Sequence, residues 1–154
     1  MYVIDIEASG LAEESYPIEI AWQSVSNEDD FDSFLIQPID RWKHWDTYAE
    51  EHVHHISRNS LFEQGISAQS ACERLNERLK NKVVYSDAVN FDERWILKLF
   101  NDLGIKPSFS IKSIFSLDPD FQEAAYSEEL CLQPVKHRAL DDARQIARIL
   151  KLYL

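Results

Sequence analysis

Alternation of apolar and polar side chains dominates the first third of the chain. Residues 2–7 (YVIDIE) alternate apolar with acidic positions and predict a strand, turned by Ser9-Gly10-Leu11. Pro17 to Val25 (PIEIAWQSV) and Phe31 to Gln37 (FDSFLIQ) predict two more strands, and the polar run Ser26-Asn27-Glu28-Asp29-Asp30 between them predicts a hairpin. The period then changes. Asp46 to His52 reads as a short helix, and Ser67 starts another that runs to about Lys80, with Ala71, Leu75 and Leu79 on one stripe. Val83-Val84-Tyr85 reads as a short buried strand. Asn90 to Leu103 reads as an amphipathic helix stopped by Gly104. Phe109 to Phe115 predicts a strand, residues 116–134 loops around a short helix, and Arg138 to Leu154 a final helix. Three strands followed by helices alternating with strands predict an α/β fold, a mixed β-sheet of about five strands flanked by helices.

At 154 residues the chain fits one domain, 1–154, by the usual span of about 100–200 residues each. A hydrophobic content of 45% supplies an ordinary core and excludes a disordered chain. No apolar run approaches the roughly 20 residues that span a bilayer, and the start lacks a signal-peptide pattern. Cys72 and Cys131 are far apart without metal-type spacing, so a reducing cytoplasm is the expected compartment and no membrane partner is expected.

Charge changes the picture. The net charge is −11, and residues 1–100 hold 9 Lys/Arg against 19 Asp/Glu. That argues against tight, sequence-independent binding of a duplex, which needs a positive surface. It leaves room for a site where bound metal ions supply the positive charge.

The carboxylates themselves fall into a pattern. Asp5 and Glu7 are two apart on a strand and project from one face, while Ile4 and Ile6 face the other way. Asp92 heads the stripe formed by Trp95, Ile96, Leu99 and Leu103. On the last helix Asp142 aligns with Ile146, Ile149 and Tyr153, whereas Asp141 aligns with Arg144 and Arg148 and is expected to pair with Arg144 in solvent. His137 lies just ahead of that helix. Each acid alone has a bland explanation: a solvated strand face, or a helix-dipole contact in the first turn. Four acids from three separated elements, all aimed inward with a histidine beside them, point to hard oxygen ligands for Mg²⁺ or Mn²⁺. Two such ions roughly 3.5–4 Å apart can drive phosphodiester hydrolysis, with His137 accepting a proton from the attacking water.

Asp5-Ile6-Glu7-Ala8-Ser9-Gly10, Asn90-Phe91-Asp92 and His137-Arg138-Ala139-Leu140-Asp141-Asp142-Ala143 resemble, in order, the three motifs of the DEDD exonuclease superfamily. A histidine five residues before the last aspartate, with Arg138 where the tyrosine branch has its Tyr, marks the resemblance as one to the DEDDh 3′→5′ exonucleases, the small bacterial stand-alone type akin to RNase T and proofreading subunits. The resemblance implies a ribonuclease H-like fold. It implies Asp5, Glu7, Asp92 and Asp142 around two divalent metal ions, with His137 as general base. Nucleoside 5′-monophosphates would be released from a single-stranded DNA or RNA 3′ end, and a homodimer is a common state of such enzymes. It also implies terminal-nucleotide contacts from Ala8, Ser9 and Leu11. The sequence departs from the family at Asp87-Ala88, where many members have His-Asn, and this makes Asp87 a rival to Asp92 for the carboxylate role. The alternatives are a catalytically silent module that binds nucleic acid or protein, and a proofreading or processing subunit of a larger complex.

Two further features have ordinary explanations. His52, His54 and His55 read as a solvated helix end rather than a metal site. Trp42 and Trp45 read as packing residues rather than base-stacking ones. Lys112, Lys136, Arg138 and Arg144 are candidate phosphate contacts.

Overall fold

The computed structural model describes residues 1–118, 120–121 and 123–153. Its strands are β1 (Tyr2–Ala8), β2 (Pro17–Ser24), β3 (Phe31–Leu35), β4 (Val83–Ser86) and β5 (Ser110–Ser113). They form one mixed sheet in the order β3-β2-β1-β4-β5, antiparallel across β3-β2-β1 and parallel across β1-β4-β5. The helices are α1 (Thr47–Ala49), continued by a wide π-type turn over Glu50–His54, then α2 (Arg58–Gln64), α3 (Ala68–Arg78), α4 (Val89–Asp102), α5 (Glu123–Cys131) and α6 (Ala139–Tyr153). This is the predicted α/β fold, a five-stranded mixed sheet flanked by helices.

The sheet is covered on both faces, so every residue of β2 is buried. Ile4, Ile6, Ile20 and Trp22 pack with Leu75 of α3 and Trp95, Ile96 and Leu99 of α4. Val3 and Ala21, on the opposite face, pack with Ala143, Ile146, Ala147 and Leu150 of α6. The register sets Asp5 across from Ala21 and Glu7 across from Glu19, and it shifts between Glu7 and Ala8. Such bulges re-aim the side chains beside them. Gly104 ends α4 with φ +65°, the left-handed conformation that the sequence anticipates there.

Several boundaries differ from the pattern-based reading. Helix α2 has no signature in the sequence pattern; Ser57 caps it by accepting from Ser60 N–H, and seven residues are too few for a periodic stripe to show. The short helix expected within 116–134 is α5, whereas the strand expected over 109–115 gives way after Ser113 to a 3₁₀ turn, Ile114–Ser116. Of the expected final helix, Leu154 lies outside the described residues, as do Pro119 and Gln122 within 116–134. His54 is buried, not solvated, because the wide turn rotates it inward while His52 and His55 stay exposed.

Both tryptophans serve the packing. Trp42 stacks on Tyr16 with ring centroids 5.2 Å apart and donates from Nε1 to Asp102 at 2.6 Å, and Trp45 Nε1 donates to Glu50 at 2.5 Å. Trp42→Ala is expected to destabilise the chain by about 3–5 kcal/mol, read as a lowered denaturation midpoint at unchanged m-value.

Candidate active site

β1 and β4 run parallel as neighbours, so their carboxyl ends open on the same edge of the sheet. Open α/β sheets bind ligands outside that edge. Here it holds a cleft of about 430 Å³. Asp5 and Glu7 enter it from β1, Asp92 from the first turn of α4, Asp142 from the first turn of α6, and His137 from the segment leading into α6. The structure therefore brings all five predicted residues to one cavity. Glu7, His137 and Asp142 are the tightest group, their ligand atoms within 4.8 Å of one another. His137 is exposed and sits at φ +54°, a left-handed conformation uncommon outside glycine.

Each acid has a distinct setting. Asp92 is buried and accepts from Ser86 Oγ–H at 2.5 Å, while Ser86 Oγ accepts from Ala88 N–H at 2.9 Å. Asp142 accepts from Lys136 N–H at 3.3 Å. Asp87 also lines the cleft, where Tyr126 donates to it at 2.8 Å. Burial, reinforced by Asp92, Glu7, Asp87 and Asp142, holds the Asp5 carboxyl well above the usual range. Burial likewise raises Asp92, against the opposing Ser86 hydrogen bond. Glu7 is pushed up to about 7 by burial and by Asp142 and Glu19, with Arg138 opposing. Asp142 and Asp87 are raised as well, chiefly by burial. A set of convergent carboxylates that resists ionisation is suited to a hard divalent cation, which would supply the missing counter-charge.

The predicted nucleotide contacts separate. Ala8 and Leu11 line the cleft, together with Gly10, where an added Cβ would meet Asp46 Cβ and His44 Cε1 at 2.9 Å. Ser9 is buried behind them. Its hydroxyl accepts from Tyr16 N–H at 3.2 Å and meets His44 Nδ1 at 3.3 Å, its N–H donates to Tyr16 O, and its carbonyl accepts from Asp46 N–H. Ser9 shapes the loop from inside rather than lining the cavity.

A pair that the sequence reading missed stands next to this site. Glu19 is buried on β2 and accepts from Arg138 Nε at 3.0 Å, from Arg138 Nη2 at 2.8 Å and from Ala139 N–H at 3.0 Å. Arg138 precedes the first residue of α6 and has no side-chain acceptor with which to cap that helix, so Glu19 takes this role from another element. The only hint in the sequence was an acid inside the apolar run PIEIAW. The one ion pair expected, Asp141 with Arg144, does not form. Asp141 pairs with Lys136 at 3.1 Å, whereas Arg144 lies over the Phe31 ring at 4.4 Å from its centroid, because the β2–β3 hairpin offers an aromatic face on that side of α6.

No family model and no curated protein sequence matches this chain. Solved structures do. E. coli exonuclease I in complex with a dA16 oligonucleotide aligns at a TM-score of 0.76 and 14% identity, over 98% of this chain and 40% of that one. Exonuclease I from Methylocaldum szegediense aligns at 0.71 and 15%, over 96% of this chain and 38% of that one. A Mopeia virus exonuclease domain partially complexed with manganese aligns at 0.50 and 20%, over 90% of this chain and 64% of that one. The likeness is one of fold, ribonuclease H-like, and the chain spans about 40% of the length of the E. coli exonuclease. Among the described residues no helix is long and apolar enough to cross a membrane.

Two outcomes follow from this geometry. The folded protein without metal holds Glu7 near 7, above its ordinary 4.5, so it binds more protons than the unfolded chain between those values. That contribution to stability is complete below about 4.5 and fades as pH rises through about 7. Melting in EDTA should therefore shift down between these pH values, and Mn²⁺ should restore more at the upper end than at the lower. Separately, Glu19→Ala should cost about 2–3 kcal/mol in denaturant titration, because it strips Arg138 and the α6 start of a charged acceptor, and Glu19→Gln should cost less.

Proposed function

We propose that this chain is a metal-dependent 3′→5′ exonuclease of the DEDDh type, releasing nucleoside 5′-monophosphates from single-stranded nucleic acid. The observation that carries this reading is the convergence of Asp5, Glu7, Asp92, Asp142 and His137 on one cleft of an exonuclease-like fold. The oligonucleotide bound to E. coli exonuclease I and the manganese of the viral domain are consistent with it.

In this mechanism Asp5, Glu7, Asp92 and Asp142 would hold two divalent ions, Mg²⁺ or Mn²⁺. Such ions would supply the positive charge that phosphodiester hydrolysis needs at the scissile phosphate and the leaving oxygen. Ser86 fixes the Asp92 carboxylate, and Lys136 N–H fixes that of Asp142. His137, exposed beside Glu7 and Asp142, takes the proton of the attacking water. Glu19 and Arg138 fix the backbone on the far side of His137. Ala8 and Leu11 lie against the terminal nucleotide.

The test uses 5′-labelled single-stranded RNA and DNA of one sequence with Mg²⁺, Mn²⁺ or EDTA. A ladder shortening from the 3′ end is expected, abolished by EDTA and by Asp142→Ala. His137→Ala should lower the rate by about 10²–10⁴-fold, the usual share of a general base. A folded protein that shortens neither strand with either metal would sink the nuclease reading in favour of a binding module.

A further inference from the structure

The charges around the cleft say how a strand would be gripped. Among the described residues, six carboxylates line the cavity (Asp5, Glu7, Asp46, Asp87, Asp92 and Asp142), and no lysine or arginine does. The cations that border it are engaged elsewhere. Lys136 Nζ contacts Asp141 at 3.1 Å, Arg138 is held by Glu19, and Arg94 Nη2 donates to Ala12 O at 3.1 Å. Arg144, Arg148 and Lys151 gather at a different pocket, beside Gln23 and Ser24, at the opposite end of β2 from Glu19. The rim of the cleft instead carries apolar surface. Leu11 is 73% exposed, Tyr48 65%, Phe91 47% and Val135 43%, all four lining the cavity, and Tyr48 is held in place by stacking on His52.

Resting on the nuclease reading, we propose that a single strand of any length is gripped only through the nucleotides at its 3′ end, by apolar and stacking contact. A run of backbone phosphates is not part of the grip. Each phosphate that a protein neutralises with its own cations steepens the salt dependence of binding, and a cavity lined by acids has none to offer beyond bound metal. Stacking on aromatic faces tolerates every base, and as a contact between uncharged faces it releases no counterions. The cleft volume of about 430 Å³ lies in the lower half of the roughly 300–1,000 Å³ range of small-ligand sites, enough for the end of a strand and not for a tract of it. Nucleotides beyond the cleft therefore add no affinity, and a long strand binds no better than its terminus.

Binding can be read without turnover, using fluorescein-labelled RNA and DNA oligonucleotides blocked by a 3′-terminal phosphorothioate, at fixed Mn²⁺. Lengths run from about 3 to about 20 nucleotides and salt from about 50 to 200 mM. Each strand has one 3′ end, so length alone gives no statistical advantage. The dissociation constant should hold within about threefold across lengths, and its log–log slope with salt should stay near 0.7, roughly one phosphate. Tyr48→Ala and Phe91→Ala should each weaken every length by about tenfold, with melting unchanged because both side chains are exposed. A long strand that binds more than about tenfold tighter than a trimer, or a slope of about 3 or more, would mean that phosphates are tracked across the surface and would overturn the proposal. Wild-type affinity in both alanine variants would overturn it equally. Absence of binding at every length is a different failure, because it removes the nuclease reading beneath it.

Discussion

Carboxylates crowded into a poorly hydrated cleft repel one another, and much of this structure can be understood as the means of holding them there. Burial alone disfavours the ionised forms of Asp5, Glu7 and Asp92, and each acid adds to the burden of its neighbours. A flexible loop would relieve the strain by swinging its acid into solvent. The sheet denies that relief to Asp5 and Glu7, whose strand is flanked by β2 and β4 and packed on both faces. Asp92 is tied to Ser86 and Asp87 to Tyr126, so neither turns away. A bound cation would relieve the repulsion among these fixed acids, and the proposed chemistry of the cleft builds on that.

The demand extends to the loop before α6. Glu7 and Glu19 face each other across the β1–β2 ladder, a like-charged pair on one sheet face. Arg138 offsets this by binding Glu19 with two nitrogens and lowering the cost of ionising Glu7. An isolated buried ion pair is a weak source of stability, since desolvation consumes most of the Coulomb gain. This one has a geometric consequence instead. Its third hydrogen bond, to Ala139 N–H, fixes where α6 begins, and with it the position of Asp142 one turn later. His137 is the residue just outside that anchor, held by its backbone and free in its ring. That state would suit the proton transfer proposed for it.

How much of this was legible in the sequence depended on whether a local period carried the information. The strand period placed Asp5 and Glu7 on one face, and the helix period placed Asp92 and Asp142 on buried stripes while setting Asp141 aside. Those positions follow from repeats of 2.0 and 3.6 residues and survive small errors in element boundaries. The partners of these residues did not show, because pairing is set by register between distant segments. Glu19 meets Arg138 across 119 residues, and Tyr126 meets Asp87 across 39. No single-sequence period encodes either contact. His54 was misjudged for a related reason. A wide turn over Glu50–His54, in place of a regular helix end, shifts the side chains after its start around the axis.

The acidity of the chain stands against nucleic-acid binding only if binding is a long-range affair. At physiological ionic strength, fields between exposed charges decay over about 8 Å, so a net charge of −11 slows the approach of a polyanion more than it weakens a contact already made. Within the cleft the balance is local. Metal ions held by the acids would meet the one phosphate that must react, and the exposed rings and aliphatic groups at the rim would meet bases, whose faces carry no charge. Short-range contacts of this kind are not screened, and they do not require the protein to be basic. An acidic surface would then favour the end of a strand over its interior, because only the end would bring bases into the cleft without aligning a row of phosphates along carboxylates.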